Sequence, residues 1–278
     1  MEQLKTAPEE TDILPPSRFS IGFAELWHYR ELFYFFTWRD IKVRYKQTFL
    51  GVLWALMQPL LMTPILVFSF GRNLQQFTPV PYPVFVFTGF VLWNIFSTGL
   101  SGAGNGMVNN ANMIKKIYFP RLIIPFSSVL VAMFDFLMTL PVIIGIFAWY
   151  HCWPGPEAIF FFPAAIILTF MATVGAGSLF SALTVKYRDF RYVLQFLIQL
   201  LLFLSNVIYP LASVPNPWVR YLLALNPMSG AITLMRGMYP NHVINWELFG
   251  ISFCSGLVLF VTGLWYFRKT ETYFADLA

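Results

Sequence analysis

Six long apolar segments leave this chain few ways to fold. They lie at residues 49–70, 83–104, 121–149, 158–183, 193–212 and 248–267. Each supplies roughly the 20 mostly apolar residues that an α-helix needs to cross the hydrocarbon of a bilayer. Only 11% of all residues are charged, whereas soluble domains carry about 25%. The sequence therefore predicts an all-α polytopic membrane protein with six transmembrane helices per protomer.

Lysine and arginine are distributed unevenly between the connecting segments. With the N-terminus inside, the inner segments hold 15 of the 18 basic residues, and the outer ones hold Arg72, Arg220 and Arg236. Cytoplasmic loops carry such an excess. Both termini are therefore predicted to be cytoplasmic, with a cytoplasmic segment at 1–48 and a six-span domain at 49–278. The net charge of +5 indicates topology and contact with membrane lipids, and no nucleic-acid motif accompanies it.

Residues 23–46, before the first apolar segment, show a helical period with aromatic and cationic sides. This pattern predicts an amphipathic helix lying in the membrane interface, with its cations toward the cytoplasm. The helix is either a topology anchor or a lever that a cytoplasmic partner pushes. The aromatic side comprises Leu26, Tyr29, Phe33 and Phe36, and the other side includes Arg39, Lys42 and Lys46.

Two inner loops are candidates for contact with a soluble partner. In the loop at 109–125, a short helix would present Lys115 and Lys116 to the cytoplasm, and Pro120 would end it. The other loop contains Arg188 and Asp189, which can pair locally or with a partner. Both loops fit two interpretations, transmission of force to the spans or plain positive-inside loops.

The outer segment at 213–247 contains two apolar pieces that are too short to cross a bilayer. Asn226 and Pro227 divide them. The pattern predicts a re-entrant helical hairpin before the last span, since backbone at membrane depth must bond internally or line a cavity. The hairpin either covers an exit or forms a structural lid.

Polar residues occur inside two of the apolar segments. Gln195, Gln199, Phe203 and Asn206 have helical spacing, so they are predicted to form one stripe on the fifth span. Amides beside an aromatic ring suit sugars, but they also suit hydrogen bonds between helices. Asp135 lies in the third span, and without a basic partner in another span it makes a weak case for a proton relay.

Signatures of catalysis are missing from the sequence. It contains no phosphate-binding loop, no HExxH, no GxSxG, no DxD pair and no histidine or cysteine pair with metal-ligand spacing. No route to ATP hydrolysis is recognisable, so energy for a pump would come from another subunit or an ion gradient. A membrane enzyme acting on polyprenyl-linked sugars stays an alternative, and it would have to use scattered residues.

Several stretches, taken in order, carry a family resemblance over nearly the whole chain. They are "WRDIKVRYKQTFLGVLWALMQPL", "KKIYFPRLIIP", "VKYRDFRYVLQFLIQL", "VIYP", "LLALNPMSG" and "GLWYFRKTETYFADLA". In these stretches the chain resembles the permease subunit of a bacterial ABC-type polysaccharide exporter, and is most similar to the O-antigen, or lipopolysaccharide, export branch. Capsule and teichoic acid exporters are related, and a drug or other lipid is an alternative cargo.

The resemblance implies a homodimer in the bacterial inner membrane, with two copies of a nucleotide-binding ATPase beneath it. ATP and Mg would bind to that ATPase, and this chain would bind no cofactor or metal and hold no catalytic residue. A lipid-linked polysaccharide would pass through a channel at the dimer seam.

The resemblance also implies roles for particular residues. The residues that would couple to the ATPase are Arg39, Lys42, Asn112, Lys115, Lys116, Tyr118, Phe119, Pro120, Arg121, Arg188 and Asp189. The candidate channel lining is Trp54, Gln195, Phe196, Gln199, Phe203, Asn206 and Tyr209. The candidate periplasmic gate is Asn226, Pro227 and Arg236.

Overall fold

The computed structural model describes residues 27–46, 53–116, 119–240 and 242–271, apart from the side chains of residues 54 and 55. Over those ranges the regular elements are α-helices and two short 3₁₀ turns, with no strand. The all-α class is therefore confirmed, while the predicted boundary at 48/49 lies outside the described residues. The helices are α1 (Arg30–Lys46), α2 (Leu53–Leu74), α3 (Tyr82–Asn109), α4 (Ala111–Ile114), α5 (Ile123–Trp149), α6 (Ala158–Lys186), α7 (Phe190–Leu204), α8 (Pro217–Ala224), α9 (Pro227–Arg236) and α10 (Trp246–Glu271).

Four of the described helices are long and apolar enough to cross a membrane, namely α3, α5, α6 and α10. Helix α2 has 22 residues but contains Pro59 and Pro64. Helix α7 has 15 residues, which at 1.5 Å per residue is about 22 Å. The count of six spans therefore stays a prediction that depends on α2 and α7.

Helix α3 lies at the centre of the protomer. It packs most extensively against α5 and α6, and it also contacts α2, α7 and α9. In its apolar window 89% of the residues are buried, whereas the other three candidate spans reach at most 39%. Large side chains from Val84 to Trp93 fill the space between the surrounding helices. Because α3 is covered on nearly all sides, the other helices are positioned by their contact with it.

Helices α6 and α10 approach so closely that only glycine fits at their crossing. A Cβ atom added at Gly175 would lie 2.6 Å from the Cα of Phe260, and one added at Gly263 would overlap the backbone of Gly175. Small residues allow this kind of backbone contact between membrane helices, where dispersion and not water exclusion favours association. The crossing fixes α10 against the core.

The fifth apolar segment is shorter as a helix than predicted. The span was expected over 193–212, but α7 ends at Leu204. Asn206 is consequently off the helix, so it does not continue the stripe formed by Gln195 and Gln199, and that part of the prediction is wrong. Asn206 is buried, and its Nδ2 donates to Oγ1 of Thr233 at 3.0 Å.

The irregular segment after α7 is buried because distant side chains satisfy its carbonyl groups. The hydroxyl of Tyr82 donates to the carbonyl oxygen of Ile208 at 2.9 Å. The guanidinium of Arg236 donates to the carbonyl oxygen of Val207 at 3.0 Å. Backbone that leaves the helix at membrane depth needs such protein donors. The end of α7 is therefore determined by residues of α3 and α9.

Two short helices occupy the predicted hairpin region. Asn216 and Asn226 cap α8 and α9, each accepting a bond from a backbone N–H two residues later, and a proline follows each cap. Asparagine at the cap and proline at the first helical position are both favourable there. Helix α9 packs against α3, α6 and α10. The helical hairpin is thus present, and its re-entrant depth in the membrane stays a prediction.

Helix α1 packs along α5. Phe36 contacts Phe119 with ring centroids 5.2 Å apart, and Tyr45 contacts Phe134 at 6.0 Å. The predicted aromatic side of α1 is thus used in part to dock the helix on the protein. A second set of aromatic side chains is exposed on α1 and suits the headgroup region; it includes Tyr34, Phe35 and Trp38.

Candidate functional site

A polar stripe on α3 lines an open groove. Ser97, Ser101, Asn105 and Asn109 follow one another at four-residue intervals, which places them on one side of the helix. The groove has a volume of about 540 Å³. Its other lining residues come from four helices and are Arg44, Gln58, Thr98, Gly102, Gln195 and Ile198. Because the stripe ends at the C-terminus of α3, the groove lies toward the predicted cytoplasmic side.

The groove presents hydroxyl and amide groups from three helices. Gln195 of α7 donates to the hydroxyl of Ser101 on α3 at 3.4 Å, a long bond that a ligand can replace. Asn105 donates to the backbone carbonyl of Ser101 at 2.9 Å, so its side-chain oxygen is left to accept. Such a surface offers both donors and acceptors, which is what sugar hydroxyls require. Sequence reasoning missed this stripe, although its four-residue spacing is visible between residues 97 and 109.

One wall of the groove carries an ion pair between α1 and α5. Arg44 donates to Asp135 over 2.6 Å, and the Tyr45 hydroxyl donates to the other oxygen of the same carboxylate. Asp135 is only 4% exposed. Burial raises the pKa of Tyr45, and the hydrogen bond to the negatively charged Asp135 raises it further, so the phenol stays a donor. The partner of Asp135 thus comes from α1, before the first predicted span, whereas the sequence-based expectation concerned basic partners in the other spans alone.

A smaller cleft brings the two inner loops together. Its volume is about 490 Å³, and its wall includes Ala111 at the start of α4 and the exposed pair Arg188 and Asp189 between α6 and α7. Lys115 and Lys116, at the end of α4, are also exposed. The structure therefore places two separately predicted coupling segments at one cleft. Asn112 is exposed on the same short helix.

Other predicted coupling residues lie inside the protein or are bonded to it. Phe119 and Pro120 are buried, so they support the loop from within. Arg121 is bonded through its backbone and guanidinium to Glu271. Arg39 donates to Asn110 at 2.9 Å and so ties α1 to the α3–α4 junction. Lys42 is exposed beside Trp38, with its ammonium 5.2 Å from the ring centre, and Tyr118 lies outside the described residues.

The predicted channel residues separate into two groups. On α7, Gln195, Phe196, Gln199 and Phe203 are all exposed, and Gln195 enters the groove. Tyr209 is half-buried and donates to the carbonyl of Phe203 at 3.0 Å, beyond the end of the helix. Asn206 is buried, as described above, and the side chain of Trp54 lies outside the described residues. Lining of a channel by these residues stays a prediction.

The three residues predicted as a gate have positions inside the protomer. Asn226 caps α9, and Pro227 is buried in its first turn. Arg236 is 2% exposed, and its guanidinium carbon lies 3.3 Å from the centre of the Phe85 ring. These positions connect α9 to the core, and gating by these residues remains a prediction.

The fold and the groove define a helical membrane protein of the transport class. Several apolar helices form the body, and a hydroxyl- and amide-lined groove opens in its predicted inner half. The chain belongs to the ABC-2 type transporter family, whose model matches residues 31–239. It is therefore a membrane-spanning permease and not itself the ATPase of such a system.

Curated relatives cover most of this chain. An O-antigen export system permease protein, RfbA, from Klebsiella pneumoniae is 31% identical over 239 residues, which are 86% of this chain and 92% of that protein. RfbA from Myxococcus xanthus is 30% identical over 219 residues, covering 78% of this chain and 84% of the relative. The polysialic acid transport protein KpsM from Escherichia coli is 26% identical over 243 residues, which cover 84% of this chain and 91% of KpsM.

Proposed function

We propose that this chain is the channel-forming subunit of an ATP-driven exporter that moves lipid-linked O-antigen-type polysaccharide across the bacterial inner membrane. The observation that carries the proposal is the polar groove, since its hydroxyl and amide groups suit a sugar chain and its aliphatic wall is small. The names of the two RfbA relatives point to the same cargo.

Energy would come from a separate ATPase that binds ATP and Mg, present in two copies. Its docking surface would be the inner cleft with the exposed side chains Lys115, Lys116, Arg188 and Asp189. A push on this surface would reach the groove through α1, because Arg39 in the middle of the helix bonds Asn110 and Arg44 near its C-terminal end bonds Asp135. The buried residues Phe119 and Pro120 would support these contacts from inside.

Two copies of the chain would face each other through α2 and α7. Both helices pack on the protomer along one side only and leave large apolar side chains exposed on the other. Phe68 of α2 is 94% exposed, and Phe196 and Phe203 of α7 are 66% and 62% exposed. Counting these two helices as spans gives six per protomer with both termini in the cytoplasm. The channel would then run between the copies, beside the polar groove.

The groove can be tested by filling it with apolar side chains. Ser101→Leu combined with Asn105→Leu removes two polar groups from the groove wall and narrows it. Thr262→Leu is a matched control, because Thr262 is exposed on α10, away from the groove, and its hydroxyl bonds only within its own helix. The readout is surface polysaccharide and lipid-linked polymer trapped inside the cell, with membrane insertion checked by protein level.

The proposal expects the groove variant to lose surface polymer and to accumulate lipid-linked polymer on the cytoplasmic side, while the control exports normally. Normal export by the groove variant would refute the groove as the sugar path. Loss of polymer synthesis in a strain without this protein would favour an enzyme acting on polyprenyl-linked sugars.

Export of a capsule polysaccharide is the second candidate, favoured by the match to a relative named as a capsule polysaccharide export inner-membrane protein, CtrC. Both candidates predict a trapped polymer, so its chemistry distinguishes them. Repeating O-antigen units on a polyprenyl carrier support the first candidate, and a capsule-type polymer supports the second.

A further inference from the structure

A second cavity lies at the opposite end of α3 from the groove, on the predicted outer side. It occupies about 450 Å³ between the turn after α2, the irregular segment after α7, and helices α9 and α10. That volume is within the range of about 300–1,000 Å³ typical of small-molecule sites. Its polar lining residues include Asn206, Ser229, Thr233, Arg236 and His242, and a second arginine of the lining, Arg220, donates to the carbonyl oxygen of Val214 at 2.6 Å. The export function proposed above makes no use of this cavity.

Arg236 brings a buried positive charge to the cavity wall. Its guanidinium donates to the carbonyl oxygen of Val207 at 3.0 Å and to that of Phe85 at 3.4 Å, the second being at the limit of a useful bond. Its Nε has no protein partner, and no carboxylate in the described ranges pairs with it. Burying a cation without a counter-charge is costly. An anion in the cavity would remove that cost.

Two further atoms in the same wall lack a protein partner. The hydroxyl group of Ser229 has no hydrogen-bond partner in the protein, and the side-chain oxygen of Asn206 has none either. The orientation of Asn206 is determined by Thr233, whose hydroxyl donates to the carbonyl of Ser229 at 2.8 Å and accepts from Asn206 Nδ2. The amide oxygen of Asn206 is therefore an acceptor. The wall thus combines two unused donors, at Arg236 and Ser229, with one unused acceptor.

We propose that this cavity binds a sugar that carries a phosphate or carboxylate group. The anionic oxygens would take the donors of Arg236 and Ser229, and a sugar hydroxyl would donate to Asn206. Phe85, which already stacks on the guanidinium, offers an apolar ring edge beside the site. The three unused atoms expose less than 1 Å² each, so binding includes rotation of these side chains toward the cavity. The site does not depend on which cargo the chain exports.

The test is calorimetric titration of the purified full-length protein in lipid nanodiscs, without any ATPase. The probes are glucose 1-phosphate, glucuronate, glucose and inorganic phosphate. Glucose tests the sugar without an anionic group, and inorganic phosphate tests the anion without a sugar. We expect saturable binding of both acidic sugars, with glucose and inorganic phosphate each at least about tenfold weaker, since each lacks one half of the recognised chemistry.

Two variants and a control test whether the acidic sugars bind at the cavity wall that contains Ser229 and Asn206. Ser229→Ala removes a hydroxyl that no protein atom uses, so it should leave thermal stability unchanged while weakening the acidic sugars about tenfold, the effect of one ordinary hydrogen bond. Asn206→Asp adds a negative charge next to the segment that Arg236 holds, and it should abolish their binding. Ser255→Ala is the control, because Ser255 lies on α10 outside this cavity and should bind as the wild type does.

Three results would overturn the proposal. Absence of saturable binding by either acidic sugar would mean that the cavity is not an acidic-sugar site. If inorganic phosphate bound as tightly as glucose 1-phosphate, the cavity would recognise the anion alone and not the sugar. Unchanged affinity in both Ser229→Ala and Asn206→Asp would place any binding elsewhere. None of these results bears on export, which the groove variants test separately.

Discussion

Replacing Asp135 with asparagine should loosen α1 from the membrane body. The carboxylate is nearly fully buried in α5, and it is the point where Arg44 and Tyr45, from the C-terminal end of α1, both attach. Asparagine has almost the same shape and can still accept a bond from Tyr45. The variant therefore removes the charge and leaves the packing in place.

The size of the effect follows from the exposure of the two partners. Breaking a fully buried ion pair costs about 3–5 kcal/mol, but the Arg44 side chain is 44% exposed and water screens part of the attraction. A hydrogen bond to a charged group contributes about 1.5–3 kcal/mol. We therefore expect α1 docking to weaken by about 2 kcal/mol, which is roughly a 30-fold change in its opening equilibrium.

Hydrogen–deuterium exchange of the protein in nanodiscs measures this opening directly. Amides of α1 should exchange roughly 30-fold faster in Asp135→Asn, while those of α3 should keep their protection. Asp40→Asn is the control, because Asp40 pairs with Arg39 at 2.7 Å on the partly exposed surface of the same helix, where a pair contributes at most about 1 kcal/mol. Equal exchange of α1 in Asp135→Asn and wild type would refute the account of this ion pair.

Three other predictions concern packing, coupling and pH. Gly263→Val should prevent α6 and α10 from crossing at Gly175 and cost on the order of 3 kcal/mol of stability. Thermal melts in detergent should show this as a loss of folded protein, and a melt identical to that of the wild type would contradict the close crossing. Lys115→Glu with Lys116→Glu should uncouple ATPase activity from export at a normal protein level, and unchanged export would remove these two lysines from coupling. Burial, with a smaller contribution from a nearby arginine, lowers the pKa of His242 to about 4 from 6.5. The unfolded chain therefore binds the proton first, so stability present above about pH 6.5 should fall as the pH drops toward 4, and His242→Gln should flatten this dependence in melts across that range.

The helical class and the short helices of the hairpin are readable from sequence because their signals are local. Apolar length identifies α3, α5, α6 and α10, and the pairs Asn216–Pro217 and Asn226–Pro227 identify two helix starts. These features depend on neighbouring residues alone, and no tertiary contact changes them.

Two features that sequence reasoning missed depend on residues far apart in the chain, unlike the polar stripe on α3, whose spacing is local. Arg44 and Asp135 are 91 positions apart, so neither spacing nor charge pattern pairs them. The end of α7 was missed for the same reason, since hydropathy does not register that Tyr82 and Arg236 supply donors to the backbone beyond Leu204. In both cases the deciding partner belongs to another helix.

The outer end of α7 is fixed by the hydrogen bonds that Tyr82 and Arg236 make to the segment following it. The inner end is held by packing of Leu194, which is fully buried, and by the long 3.4 Å bond from Gln195 to Ser101, while Tyr192 in the first turn is 81% exposed. Because the bonds beyond the outer end are shorter than the one at the inner end, tilting of α7 would displace its inner end more than its outer end. Two such helices facing each other across a seam would separate first at the cytoplasmic side while the outer side stayed closed, so a polymer would be admitted before it could be released.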